Sequence, residues 1–187
     1  MAINFHNITN NWTLFLDRDG VINHEKDNDY IHTWDEFIFY DGAKAAMKIF
    51  AEKFKYIFVV TNQRGVGKGV TSIVTLHLIH HNMIKEIEMA GGRIDKVYFC
   101  TDMDNSSPNR KPHPGMALQA KTDFPDIDFN QSIMVGNNFS DMEFGRSIGA
   151  STVFLSTTHP EVNESDNRVD AVYESLAGFA ASLQSFR

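Results

Sequence analysis

Short, continuous apolar runs alternate along this chain with longer segments whose apolar residues recur every three or four positions. The runs are Trp12–Leu16, Tyr56–Thr61, Lys96–Cys100, Ser132–Val135 and Thr152–Leu155, with a short last one at Ala171–Tyr173. Unbroken apolarity of this length marks parallel strands covered on both faces. The segments between them carry a helical period. In Gly42–Phe54, the residues Ala43, Ala46, Met47, Phe50 and Phe54 share one stripe, and Asp41 suits the N-cap. In Ile73–Ala90 the stripe is Leu76, Ile79, Met83, Ile87 and Ala90, stopped by Gly91-Gly92. Pro114 fits the first turn of a helix reaching about Thr122. Ser140-Asp141-Met142-Glu143 has capping-box form, for a helix that Gly149 ends. A last helix covers about Glu174–Gln184. Strand–helix alternation predicts an α/β fold with a doubly wound, mainly parallel sheet. No repeat, low-complexity stretch or linker divides the chain, so one domain is expected over residues 1–187, with its motif-bearing core at about 13–155.

Ligands of such sheets bind at the carboxyl ends of the strands. Four polar clusters sit there. Asp17-Arg18-Asp19-Gly20-Val21 follows the first strand. It reads either as a polar turn or as a nucleophilic carboxylate with a second carboxyl to handle the proton. Thr61-Asn62-Gln63-Arg64-Gly65 follows the second strand. Its hydroxyl and backbone N–H groups can hold phosphate oxygens, or bond only to local backbone. Arg110-Lys111-Pro112-His113-Pro114-Gly115 precedes a helix. Lys111 offers a compact positive charge and Arg110 a second anion contact; the alternative is two solvated basic residues beside a proline turn. Gly136-Asn137-Asn138-Phe139-Ser140-Asp141 follows the fourth strand. Its oxygens can complete an octahedral Mg²⁺ site with Asp17 and the Asp19 carbonyl, or Ser140 and Asp141 can simply cap a helix.

Composition narrows the partners. Apolar residues make up 42% and charged residues 22% of the 187, enough for a core, to which fifteen phenylalanines add bulk. A net charge of −7 argues against nucleic acid or an anionic membrane as partner, yet leaves room for a local phosphate site. One cysteine excludes an internal disulfide and fits a reducing compartment. No apolar run approaches the ~20 residues needed to span a bilayer, and Met1–Trp12 lacks the form of a secretory signal. The expectation is a cytoplasmic monomer acting on a small phosphorylated molecule.

Taken in order, D-x-D-G-V, T-N-Q, R-K-P and G-x-x-x-x-D resemble the haloacid dehalogenase superfamily. Asp-Arg-Asp-Gly-Val-Ile-Asn, Val-Val-Thr-Asn-Gln-x-Gly and Arg-Lys-Pro-His-Pro-Gly-Met are similar to its branch of heptose-bisphosphate and histidinol-phosphate phosphatases. The resemblance runs from about Thr13 to Leu155. It implies Mg²⁺-dependent hydrolysis of a small phosphorylated metabolite through an aspartyl phosphate. Asp17 would be nucleophile and metal ligand. Asp19 would be general acid and base, with its carbonyl on the metal. Thr61 and Asn62 would bind the phosphoryl group beside Lys111, and Arg110 the rest of the substrate. Asn137 and Asp141 would complete the metal site. A heptose bisphosphate is the first expected substrate; histidinol phosphate or another sugar phosphate is the alternative. The branch lacks a large cap, which leaves loops 24–32, 64–70 and 101–109 to frame the site.

Two departures qualify this expectation. Many members carry a zinc loop with a Cys-x-His and a Cys-x-Cys before the Arg-Lys pair. Here Cys100-Thr101-Asp102 and Ser107-Pro108-Asn109 lack three of those ligands, so no structural zinc is expected. Asn137 stands where the first acid of the fourth motif is usual, which admits a catalytically weakened phosphate-binding module as a further alternative. His77 and His81, one helical turn apart, read as solvent-facing; Cys100 reads as a buried strand-end residue.

Overall fold

The computed structural model describes residues 8–163 and 165–184. Six strands form one sheet: β1 (Thr13–Leu16), β2 (Tyr56–Asn62), β3 (Lys96–Cys100), β4 (Ser132–Gly136), β5 (Ser151–Leu155) and β6 (Ala171–Tyr173). Their order is β3-β2-β1-β4-β5-β6, and every pairing is parallel. Six helices join or follow them: α1 (Ala43–Lys53), α2 (Arg64–Gly67), α3 (Ile73–Met89), α4 (Gly115–Asp123), α5 (Phe139–Ser147) and α6 (Leu176–Gln184).

The alternation of side chains along β1 shows why its run is unbroken. Leu14 and Leu16 enter one core with α1, α3 and α6 residues such as Met47, Ile79 and Phe179. Phe15 enters the other, against Met116, Ala120 and Phe144. Both faces are dry, so every position of the strand is apolar or, like Thr13, buried. The topology reverses at β1: its neighbour on one side is β2, on the other β4, with Leu16 in register with Val59 and Val135. Diverging connections open a crevice there.

Two of the expected caps differ. Asp41 does not cap α1; the N-cap is Gly42 at φ 75, a left-handed conformation that glycine adopts at least cost. The capping box of α5 is built two residues earlier than Ser140. Asn138 accepts the Ser140 N–H, and Asp141 Oδ2 accepts the Asn138 N–H. Short α2 was not foreseen, and it occupies part of the expected 64–70 loop. Among the described residues no helix is long and apolar enough to cross a membrane.

Candidate active site

The four clusters meet at the crevice. Asp17, Asp19, Thr61, Asn62, Arg110, Lys111, Asn137 and Asp141 all line one cleft of about 220 Å³, together with Glu25, Asn138 and Ser140. Asp17 directly extends β1, its N–H donating to the Val135 carbonyl at 2.9 Å. Beyond it the chain turns sharply through Gly20, at φ 81. A Cβ at Gly20 would fall 2.0 Å from Asn137 Nδ2, so only glycine lets the first and fourth clusters close on each other. The Thr157 hydroxyl, after β5, ties the turn down by donating to the Gly20 carbonyl at 2.6 Å.

Lys111 is the electrostatic centre. Its side chain is 1% exposed, and Nζ lies 2.9 Å from Asp17 Oδ1 and 2.6 Å from Asp141 Oδ1. Burial pulls the ammonium's pKa down, but the two carboxylates more than offset this and leave it above the ordinary value. Asp17 fares differently. Burial, helped by the nearby Asp141 and Asp19 charges, outweighs Lys111 and pushes its pKa up to about 7. When Asp17 is ionised, two carboxylates around one ammonium leave this corner one negative charge in excess.

Asn62 holds Lys111 in place. Its Oδ1 accepts the Lys111 N–H and its Nδ2 donates to the Lys111 carbonyl, both at 3.1 Å. The side-chain amide thus braces the Lys111 backbone, which leaves the backbone N–H of Asn62 for the phosphate contact expected of it. Asp141 likewise uses both oxygens, one on Lys111 and one on the Asn138 N–H. The carboxylate expected among the metal ligands thus braces Lys111 beside Asp17.

Asp19 sits in a cage. Arg18 Nε and a terminal nitrogen donate to its carboxylate at 3.2, 2.8 and 2.9 Å, Asn23 Nδ2 to Oδ1 at 2.9 Å, and Gln63 Nε2 to Oδ2 at 2.9 Å. Burial raises its pKa, but Arg18 and the other donors win and hold it below the ordinary carboxylate value. Arg18 itself is fully buried, and its remaining terminal nitrogen meets His80 Nε2 at 3.1 Å. Sequence reasoning passed over Arg18, Gln63, Asn23 and His80. The signal for His80 was available: it falls on the apolar stripe of α3 one turn after Leu76, where an unpartnered imidazole would be costly. His77 and His81 face solvent as expected, and Cys100 is buried at its strand end.

The donor set fits a hard cation. Among the described residues no three His, Cys, Asp or Glu side chains converge as a metal site, so amide and carbonyl oxygens have to contribute. Asn137 is 3% exposed and gives Nδ2 to Thr158 Oγ1 at 2.8 Å and, more weakly, to Glu25 at 3.5 Å. That fixes the amide so that Oδ1 is its free acceptor. Asp17 spends Oδ1 on Lys111 and on the Arg18 N–H at 2.7 Å, which leaves Oδ2. Free carboxylate and amide oxygens beside an excess negative charge suit Mg²⁺, which keeps waters for its other positions.

On the distal side, Arg110 and Arg64 approach each other. Burial and the Arg64 charge lower the Arg110 pKa, and neither guanidinium is ion-paired with a carboxylate among the described residues. Arg64 reaches the Met103 carbonyl at 3.2 Å and also Asn105, and His113 meets the Asn105 carbonyl at 3.1 Å, so loop 101–109 is pinned against this corner.

Known proteins resemble this chain in sequence and in architecture. A family model described as HAD-hydrolase-like matches residues 108–179. A D-glycero-alpha-D-manno-heptose-1,7-bisphosphate 7-phosphatase of Mycobacterium bovis is 35% identical over 92% of this chain and 91% of its own length. The D-glycero-beta-D-manno counterpart of Salmonella typhi is 33% identical over 91% of this chain and 94% of its own. Among solved structures, the D,D-heptose 1,7-bisphosphate phosphatase of B. bronchiseptica, complexed with magnesium and phosphate, superposes with a TM-score of 0.84 at 25% identity. That match covers 94% of this chain and 99% of the other.

Proposed function

We propose that this chain, which belongs to the haloacid dehalogenase superfamily of phosphatases in the branch of the heptose-1,7-bisphosphate 7-phosphatases, removes one phosphate from a heptose bisphosphate. The observation that carries the reading is the Asp17–Lys111 contact at 2.9 Å, beside a caged Asp19, at the crevice of a parallel sheet. Asp17 attacks phosphorus while Asp19, which takes up a proton as the anionic substrate settles against it, gives that proton to the departing sugar oxygen. The products of this half are an aspartyl phosphate and the free alcohol. Asp19, now a base, takes a proton from water, which attacks the same phosphorus and releases inorganic phosphate and Asp17. Lys111 offsets the repulsion between Asp17 and the phosphoryl oxygens, and the Thr61 hydroxyl with the Asn62 N–H holds those oxygens. Asp17, Asn137 Oδ1 and the Asp19 carbonyl would hold Mg²⁺, which would supply further positive charge against the phosphoryl group.

The second phosphate of the substrate falls to Arg110 and Arg64. Two guanidiniums without carboxylate partners repel each other until an anion sits between them. This favours a bisphosphate over a monophosphate. The test is a panel of phosphorylated sugars with both anomers of D-glycero-D-manno-heptose 1,7-bisphosphate, because the relatives divide between alpha and beta. We expect the highest kcat/KM on one of these anomers. Arg64→Ala should raise KM for the bisphosphate by about tenfold and leave monophosphates unchanged. Best turnover on a monophosphate would refute the substrate assignment.

A further inference from the structure

We propose that His80, acting through Arg18, is a positioning residue that fixes the proton-handling carboxylate of Asp19. The inference rests on the phosphatase reading above. His80 touches neither Asp19 nor the cleft; it reaches in from α3 and meets the guanidinium of Arg18 at 3.1 Å. A guanidinium has no acceptor, so Nε2 of His80 accepts and the ring is neutral with its proton on Nδ1. Arg18 is the largest fully buried side chain among the described residues, and its Cζ lies 5.9 Å from the centroid of the Phe37 ring. With one end on His80, its other face can point only at Asp19, which it meets with three contacts.

The economy of the arrangement lies in the number of donors. Asn23 and Gln63 each give Asp19 one hydrogen bond, from side chains on the same rim. Arg18 supplies the rest and all of the compensating charge. A buried guanidinium nitrogen without an acceptor turns toward another one. Without His80, the acceptors within reach are those of Asp19 and the adjacent loop, so the fork would rotate and carry the carboxylate with it. Proton transfer is sensitive to such a shift, since a misplacement of about 1 Å costs on the order of a hundredfold in rate.

The experiment compares His80→Leu, which removes the acceptor, with His80→Gln, whose amide oxygen can replace it. Each is assayed on a sugar phosphate, whose alkoxide needs a proton, and on 4-nitrophenyl phosphate, whose phenolate does not. We expect His80→Leu to lose about ten- to a hundredfold in kcat on the sugar phosphate with KM nearly unchanged. Loss on the aryl ester should be less than about threefold, and His80→Gln should recover most of the sugar-phosphate rate. Equal losses on both substrates would show that His80 only supports the fold, and no loss on either would show that it supports nothing here. If His80→Leu does not fold, Arg18→Lys keeps the charge, loses the fork and is expected to show the same selective defect. Crystal structures of wild type and His80→Gln or His80→Leu decide the matter apart from turnover. An Asp19 carboxylate unmoved in His80→Leu overturns the inference, whereas a wild-type protein inactive on every ester counts against the proposed function instead.

Discussion

On one side of the β1 mouth, Asp17 shares a buried cluster with Asp141 and a single ammonium; on the other, Asp19 is enclosed by Arg18, Asn23 and Gln63. The two carboxylates are two residues apart, and their surroundings push their pKa values in opposite directions. The difference separates an unfinished electrostatic site from a finished one. Around Asp17 negative charge is in excess once it is ionised, and among the described residues Oδ2 of Asp17 and Oδ1 of Asn137 accept from no protein donor, which is where the proposed cation would complete the balance. Around Asp19 the balance is already met by protein groups, which leaves the carboxylate to move protons. Divergent environments for paired acids are how one fold assigns two roles to one residue type.

The strongest way to break this comparison is to neutralise the Asp17 side. Asp17→Asn keeps the shape but cannot form the covalent intermediate, and we expect kcat to fall by about 10⁴-fold or more. Steady-state turnover of any accepted phosphate ester checks this; a rate within tenfold of wild type would remove Asp17 from the chemistry. Altering the Asp19 side should cost less and depend on the substrate. For Asp19→Asn we expect a loss of roughly 10²–10³-fold on alkyl phosphates and a smaller one on aryl phosphates with good leaving groups. Equal losses would assign Asp19 to the metal or the turn rather than to proton transfer.

How much of this asymmetry could be read beforehand follows from the range of the interactions. The six strands and their parallel, two-sided burial are written in continuous runs such as Tyr56–Asn62, whose ends the pattern places within one or two residues. The cleft residues Asp17, Asp19, Thr61, Lys111 and Asn137 stand at strand ends or in the loop before α4, and the topology gathers them. What stayed hidden depends on contacts across the fold. His80 and Arg18 are 62 positions apart, so although the apolar stripe of α3 marks His80 as buried, nothing local names its partner. That the Asn62 side chain braces Lys111 emerges only with its partner, 49 residues on. The cap of α5 was misplaced because Ser140-x-x-Glu143 and Asn138-x-x-Asp141 both satisfy the same pattern, and only the path of the chain after Gly136 chooses between them.

A gentler probe sharpens the comparison by adding charge where it is lacking. Asn137 lines the cleft with a neutral amide, at the corner proposed for the cation. Asn137→Asp supplies a full negative charge, worth on the order of 1–3 kcal/mol to Mg²⁺ in a partly solvated site, or roughly ten- to a hundredfold in affinity. The Mg²⁺ concentration for half-maximal activity should fall by that factor. An unchanged midpoint would mean that Asn137 does not face the metal.

The smallest expected effect is a dependence of Mg²⁺ binding on pH, set by Asp17. Its pKa is about 7 in the metal-free fold against an ordinary 3.8, because burial and Asp141 disfavour the charge. Between these two values the native state binds more protons than the unfolded state, so the contribution of Asp17 to stability is fully present below about pH 3.8 and is lost as pH rises through about 7. Mg²⁺ requires the ionised carboxylate and therefore competes with this proton. Above about pH 8 there is no proton to displace, and affinity should be flat. At pH 6, one unit below the pKa, about nine in ten Asp17 carboxyls carry a proton and apparent affinity should be about tenfold weaker. Isothermal titration of the protein with Mg²⁺ at pH 6, 7 and 8 measures this directly, and proton release can be read from the dependence of the heat on the buffer. Asp17→Asn should remove the proton release, while Asp19→Asn should leave it in place, because the donors around Asp19 already hold its carboxyl ionised in the substrate-free protein. Release that persists in Asp17→Asn would locate the linked proton elsewhere and undo the electrostatic contrast between the two sides of the cleft.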